Sequence, residues 1–448
     1  MKVSKFGGSS VANAAQLKKV AAIIQNDIER KFIVVSAPGK RHSNDTKMTD
    51  LLIELGKAVR KKQNEDHFLR LIMDRFSEIV YGLDITPDIL SEIEKTLKQT
   101  IRSDVTDQLK MDSFKAIGED SCAKILSQYL QKLGLEAYYV NPKEAGIIVE
   151  NERNGAQILD ESYSKLYQLH KRNGVLVIPG FFGFTKEGTL ATFSRGGSDI
   201  TGAIVAAGVK ASLYENFTDV NSVYTVNPAF VDNPKEIKTL TYREMRELSY
   251  SGFSVFHDEA LIPAFREGIP VQIKNTNNPS APGTLIVAEK KPSYNNVVGI
   301  ASDTGFTSIY ISKYLMNREL GFGRKLFQIL EDEGISFEHA PSGIDDITII
   351  VRDNQLTKEK EEVILHRIKT ELQADTVSIQ HDLAMIAIVG EGMKETIGLA
   401  QKATTALGEA LVNIEMINQG SSEVSMMFGI QARSLKRAIQ SLYKAFFE

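Results

Sequence analysis

Three short segments of the 448-residue chain bring together residue types that can handle phosphate and carboxylate groups. The first is Lys5-Phe6-Gly7-Gly8-Ser9-Ser10. Paired glycines let the main chain approach an anion closely, a following helix adds a favourable dipole, and the lysine adds a point charge for a phosphoryl group. The second is Phe193-Ser194-Arg195-Gly196-Gly197-Ser198-Asp199. The Arg195 fork suits a carboxylate through two parallel hydrogen bonds, and Gly196 and Gly197 again bare backbone N–H groups. Asp199 equally fits a helix cap. The third is Asn216-Phe217-Thr218-Asp219-Val220, with Tyr224 and Asn227-Pro228 beyond it. Alone, it reads as a strand end and a turn. A strand–Gly-Gly–helix turn alone is as often structural as functional. G-x-x-x-x-G-K-[ST] is absent, as are the catalytic-loop and D-F-G signatures of protein kinases.

The elements around these segments repeat a strand–loop–helix rhythm over the first ~290 residues, which predicts an α/β sandwich with a mainly parallel sheet. Residues 2–6, 32–36, 137–140, 175–178 and 213–217 read as strands. Leu17, Val20, Ala21, Ile24 and Ile28 recur at helical spacing. From about residue 50 to 110 the pattern is helical and charged, with one apolar stripe of Leu69, Ile72, Phe76 and Ile79. It reads as an insertion packed on the sheet. A helix is expected over 119–133. Within it Cys122 packs as a small hydrophobe, and Glu119 reads as a first-turn acid favoured by the helix dipole.

Pro279, Pro282, Gly283 and Pro292 punctuate the chain, so a first domain is assigned to residues 1–292. Strands at 307–312, 335–339, 347–351 and 377–381 then alternate with helices at 322–330 and 358–372. That β-α-β-β-α-β order is the ferredoxin-like unit, assigned to 303–382. The pattern restarts over 383–448 with strands at 384–389, 412–417 and 424–430 and helices at 395–407 and 435–447. This second unit lacks a last strand, and residues 297–301 are expected to complete it, because an unpaired edge must be covered.

Composition narrows the classes of function. The net charge of −4, with 42% hydrophobic and 25% charged residues, is that of a soluble globular protein. No long basic run invites nucleic acid. One cysteine excludes an internal disulfide and a multi-cysteine metal site, and the seven histidines form no ligand pattern. No signal-peptide core opens the chain and no run of about 18 apolar residues would span a membrane, so a cytoplasmic protein is expected.

Taken together, Val3-Ser4-Lys5-Phe6-Gly7-Gly8-Ser9-Ser10-Val11, Phe193 to Asp199 and the Thr218-Asp219-Val220 segment with Val223-Tyr224-Thr225 and Asn227-Pro228 resemble the aspartokinase branch of the amino acid kinase family. The two C-terminal units resemble its paired ACT domains. The resemblance implies an α/β/α kinase sandwich followed by two ferredoxin-like α+β domains. It implies transfer of a phosphoryl group from ATP, with Mg²⁺, to the side-chain carboxylate of L-aspartate, the first step toward lysine, threonine and methionine. It further implies feedback inhibition by lysine or threonine or both, and a homodimer or homotetramer.

By the same resemblance Lys5 and Asp199 serve the transfer, and Lys5, Gly7, Gly8, Thr218, Asp219 and Tyr224 serve the nucleotide. Ser36, Thr49, Glu119, Arg195, Gly196, Gly197 and Ser198 serve aspartate, with Glu119 receiving its ammonium group. Met316, Ser342, Gly343, Asp345 and Asp346 match effector positions, and Asn413, Ile414 and residues 418–422 hold comparable places in the second unit. No general base is needed, since a carboxylate with a reference pKa near 4 is already a nucleophile at neutral pH. No protein metal cage is expected, because Mg²⁺ would ride on the nucleotide.

Two positions depart from the pattern. Ser254, in Gly252-Phe253-Ser254-Val255-Phe256-His257, stands where many members carry a nucleotide-side lysine, and Ala229 stands where an arginine is common. Lys274, Arg243 and Arg246 are the candidates to compensate, and His257 reads as structural. Two other readings compete: a kinase of glutamate, acetylglutamate or a nucleotide, and a sensor that has lost catalysis. No dinucleotide fingerprint accompanies the segments, so a fused homoserine dehydrogenase is not expected.

Overall fold

The computed structural model describes every residue except 153–154, 195, 254–259, 291–295 and 421–423, and leaves out the side chain of Glu395. The chain divides into two compact units. One comprises Met1–Val223, Glu236–Arg246 and Ser254–Lys291, and the other Tyr224–Lys235, Glu247–Phe253 and Pro292–Glu448.

The first unit is built on an eight-stranded sheet. In spatial order its strands are Thr239–Thr241, Thr284–Val287, Val271–Asn275, Leu213–Thr218, Lys2–Phe6, Arg30–Val35, Val175–Pro179 and Ala137–Tyr139. Every pairing is parallel except that of Val271–Asn275 with Thr284–Val287. A parallel sheet is covered on both faces, so its central strands are apolar throughout, as Phe32 to Val35 are. The Ala14–Gln25 helix buries Leu17, Val20, Ala21 and Ile24. Ile28 lies beyond the end of that helix and is 98% exposed, so it does not belong to the stripe.

The charged stretch forms helices Met48–Lys61, Glu65–Leu83 and Asp88–Arg102, followed by a fourth, Asp107–Lys132. Ile72, Phe76 and Ile79 enter the main core, whereas Leu69 only packs against it. The fourth helix begins at Asp107, not at 119. Glu119 is therefore mid-helix, where the N-terminal dipole offers it nothing. The early start follows from the Thr106 side chain, which accepts from Leu109 N–H and caps the helix. Cys122 is buried in this helix.

The second unit carries a six-stranded antiparallel sheet. Its order is Phe337–His339, Asp346–Arg352, Gly299–Ser312, Thr376–Val389, Ser425–Gln431 and Met416–Asn418. The segments 297–301 and 307–312 were expected as separate strands, as were 377–381 and 384–389. Each pair is instead one continuous strand. Gly299, Ile300 and Ala301 pair with Val389, Ile388 and Ala387, and Ser308 to Ser312 pair with Gln380 to Thr376. The polar run Ser302-Asp303-Thr304-Gly305 hides this continuity. The register shifts between Thr304 and Phe306, where Gly305 takes φ 82°, a bulge suited to glycine.

Two apolar cores flank this sheet. One is built around Leu326, Ile329, Ile364 and Ile368. The other is built around Leu407, Phe428, Ile439 and Leu442. The helix expected at 395–407 runs over Leu399–Glu409, and the strand expected at 412–417 is Met416–Asn418. Among the described residues no helix is long and apolar enough to cross a membrane.

Candidate active site

In-register neighbours on adjacent strands point to the same face of a sheet, and Lys5 is paired with Asn216. On that face lies Asp199, three residues into the Gly197–Gly208 helix. Lys5 Nζ sits 2.6 Å from Asp199 Oδ1, and Asn216 Nδ2 donates to the same oxygen at 2.5 Å. The Tyr214 hydroxyl donates to the Asp199 carbonyl at 3.2 Å. Burial pushes that hydroxyl well above its ordinary pKa, so it stays a donor. A Cβ at position 202 would stand 2.4 Å from Tyr214 Oη, which fixes glycine there. The Asp199 carboxylate is thus committed to Lys5 and Asn216 rather than to capping.

The Gly-Gly turn follows directly from the same strand. Gly7 N–H donates to Phe217 O at 3.0 Å, so it is spent within the protein. Gly8 and Ser9 open the short Gly8–Val11 turn, and their N–H groups find no acceptor among the described residues. A Cβ on Gly7 would lie 3.4 Å from Lys5 Nζ, so the ammonium borders the turn. Backbone comes very close here. A Cβ on Gly39 would lie 2.5 Å from the Gly8 carbonyl carbon.

Glu119, assigned to the substrate from sequence, is a buried acid. Its side chain is 5% exposed and Oε2 has no hydrogen-bond partner. Burial pushes the carboxyl up to about 8, with backbone hydrogen bonding at Ala37 pulling the other way. Gly118 allows this approach, since a Cβ there would stand 2.7 Å from Ala37 Cβ. Earlier on the same helix face, Asp112 accepts from Thr192 Oγ1 at 3.0 Å and pairs with Lys115 at 3.1 Å. The helix is thereby tied to the strand leading into Phe193 and Ser194.

Ser36 ends the Arg30–Val35 strand, and its N–H donates to Phe6 O at 3.1 Å. Thr49 is half-buried in the first turn of Met48–Lys61. Gly196, with φ 75°, starts the helix that carries Gly197 and the buried Ser198. Thr218 Oγ1 donates to Asp219 Oδ1 at 3.2 Å at the end of the same strand that carries Asn216. Arg195, Ser254 and His257 lie outside the described residues. Tyr224 belongs to the second unit by its packing.

Lys274 pairs in register with Phe217 and so faces away from Lys5. Burial lowers its pKa, partly offset by Glu215. Arg243 and Arg246 are exposed on the Tyr242–Tyr250 helix. Asn216, Tyr214 and Asp112 carried no assigned role from sequence. For Asn216 the signal was its strand register with Lys5. Among the described residues no group of three or more His, Cys, Asp or Glu could hold a metal.

In the second unit, the loops at 313–319 and 342–346 meet. Asp345 Oδ1 accepts from Leu315 N–H at 2.8 Å and Asp345 O from Lys313 N–H at 2.8 Å. Asn317 N–H donates to Ile344 O at 3.2 Å, and Met316 is buried beneath them. Ser342 bridges to Ile347, and Gly343 N–H donates to Asp346 O at 2.8 Å.

The amino acid kinase family profile matches residues 1–275, and an ACT domain profile matches residues 386–446. The chain is 55% identical to aspartokinase 3 of Bacillus subtilis over 448 residues, covering all of this chain and 99% of that protein. It is 30% identical to the chloroplastic aspartokinase 1 of Arabidopsis thaliana, covering 100% of this chain and 80% of that one. The crystal structure of Clostridium acetobutylicum aspartate kinase superposes with a TM-score of 0.88 at 40% identity, each chain fully covered. The chain therefore belongs to the amino acid kinase family, among the ACT-containing aspartokinases, and is a phosphotransferase.

Proposed function

We propose that this site transfers the γ-phosphoryl group of ATP to the side-chain carboxylate of L-aspartate, yielding 4-phospho-L-aspartate. The observation that carries the reading is Lys5, a buried ammonium held 2.6 Å from Asp199 and bordering Gly7, the residue before Gly8 and Ser9, whose N–H groups have no acceptor among the described residues. An anion must meet a polyanion here, so catalysis rests on position and fixed positive charge. ATP, when bound with Mg²⁺, supplies the phosphoryl group and part of the charge neutralisation. The chain's own share is the Gly8–Ser9 N–H pair for phosphate oxygens, and Lys5 for the group in transfer. Asn216 and Asp199 keep that ammonium aimed. Glu119 offers its unpartnered oxygen to the α-ammonium of aspartate, and Arg195 and Ser198 take the α-carboxylate. Thr218, Asp219 and Tyr224 serve the nucleotide side, and Ser36 and Thr49 the substrate side.

The second unit is read as two ACT domains, 303–382 and 383–448, sharing strands, with residues 297–301 completing the second. Lysine or threonine, or both, is the effector, held by the paired loops around Met316, Ser342, Gly343, Asp345 and Asp346. Structures of E. coli aspartokinase III were solved with lysine and aspartate and with aspartate and ADP. Near those loops Leu320 and Ile344 are 96% and 70% exposed, which supports a homodimer or homotetramer covering them. The cytoplasm is the fitting compartment.

The test is ADP release with Mg-ATP and aspartate by the wild type and a Lys5→Ala variant, repeated with glutamate, then with lysine and threonine added. Aspartate-dependent turnover that falls at least about a hundredfold in the variant is expected. Preference for glutamate, or no turnover while lysine or threonine still binds, overturns the assignment.

A further inference from the structure

The segment between Pro38 and Met48 reads Gly-Lys-Arg-His-Ser-Asn-Asp-Thr-Lys and contains no apolar side chain. Hydrophobic burial cannot hold it. Yet its ends and its first glycine define the site: Ser36 and Ala37 precede it, Thr49 follows it, and Gly39 N–H donates to Gly8 O at 2.8 Å. Something polar must fix it.

That group is Arg75. It projects from the inward stripe of the Glu65–Leu83 helix, beside Ile72, Phe76 and Ile79, and is 5% exposed. Nη2 donates to Gly39 O at 2.7 Å and Nη1 to Thr46 O at 2.8 Å, while Nη1 stands 3.1 Å from Asp45 Oδ2. Asp45 is gripped in turn by Arg41, through Nε at 2.9 Å and Nη2 at 3.0 Å. One planar fork therefore reaches both ends of the loop, which a single ammonium cannot do.

We propose that Arg75 is a positioning residue for phosphoryl transfer, fastening Gly39 against the Gly8 turn while holding the loop between Ser36 and Thr49 in place. The inference rests on reading the Gly8–Ser9 turn as the phosphate site. Through Gly39 the guanidinium fixes the carbonyl of Gly8, and with it the Gly8–Ser9 peptide plane that carries the Ser9 N–H group. A shift of about 1 Å in such a cradle costs up to about a hundredfold in rate.

The experiment compares full-length wild type, Arg75→Met, Arg75→Lys, Asp45→Asn, Phe76→Leu and Lys5→Met. Each is assayed for kcat and for KM of ATP and aspartate well below its melting temperature. Phe76→Leu opens the same helix–core packing and removes no hydrogen bond or ion pair to the loop. It is expected to lower the melting temperature while leaving kcat/KM within about twofold. Arg75→Met is expected to lower kcat/KM for ATP by roughly tenfold to a hundredfold. Arg75→Lys should recover stability more than activity, and Asp45→Asn should fall between Lys and wild type. If Arg75→Met melts lower but keeps wild-type kinetics, or if Phe76→Leu loses as much activity, the inference is wrong. Should Arg75→Met fail to fold, Asp45→Asn with unchanged kinetics overturns it equally. Lys5→Met separates the two layers: full activity in that variant defeats the site reading, whereas its loss beside an unaffected Arg75→Met defeats only the role of Arg75.

Discussion

Aspartate binding should expel a proton from Glu119. In the free protein burial raises this carboxyl to about 8, so at pH 7 it is about nine-tenths protonated. An ammonium about 3 Å away, at an effective dielectric of about 20, favours the ionised form by roughly 5 kcal/mol, or about four pKa units. The complex is then ionised at pH 7, and binding releases about 0.9 proton at pH 7 and about 0.5 at pH 8. Affinity for aspartate should tighten nearly tenfold from pH 6 to pH 7. Calorimetric titration of aspartate in two buffers of different ionisation enthalpy reads the proton count directly. Glu119→Gln should abolish the release and weaken binding at pH 8 by about tenfold to a hundredfold. Because the folded pKa lies above the ordinary 4.5, the group's stabilising contribution is intact below about 4.5 and lost as pH rises through about 8. The Gln variant should therefore be the more stable protein at pH 8, by on the order of a few kcal/mol, with little difference at pH 4.5. Binding without proton release, with affinity flat between pH 6 and 8, would falsify the assignment of Glu119 to the ammonium group.

Two further outcomes can be checked with single variants. Asp345→Ala removes the acceptor for Leu315 N–H and loosens the 313–319 loop. Inhibition by lysine or threonine should need at least about tenfold more effector while uninhibited turnover is kept; an unchanged inhibition curve takes Asp345 out of the effector site. Glu215→Gln breaks a buried pair, since Arg30 donates to Glu215 through Nε at 2.7 Å and Nη2 at 2.8 Å. A loss of about 3–5 kcal/mol in urea unfolding is expected, and a loss below about 1 kcal/mol would show that Arg30 finds another partner.

Much of this architecture was legible in residue order. The strands that carry Lys5 and Asn216 announced themselves as apolar runs ending in glycines or turns, and the restart after about residue 383 was visible as a repeated element order. What stayed hidden was set by geometry at a distance. Residues 302–305 are polar, so one long strand reads as two. Glu119 looks like a first-turn acid until the helix is seen to start at Asp107. By residue type Lys274 is a candidate to replace the missing lysine, but strand alternation turns it to the face opposite Lys5. Arg75 sits at a core-facing position of an otherwise apolar stripe, and that misplacement was itself a signal. A charge in a core stripe is costly unless it is bonded, so it marks a residue kept for its partners.

The continuous strands of the second unit also impose an order on its synthesis. Gly299 can find Val389 only after the intervening ninety or so residues have been made, as their register requires. The core on that half closes only with Ile439, Leu442 and Phe446 of the last helix. Every strand of the first sheet is complete by Val287. During translation the kinase sheet can therefore form while the antiparallel sheet still waits for its final partners, with strand edges open. Loss of the last helix, by an early stop or a protease, would leave one half of that sheet without a core. Such a product would be prone to aggregate and to degradation, rather than being simply an enzyme freed from regulation.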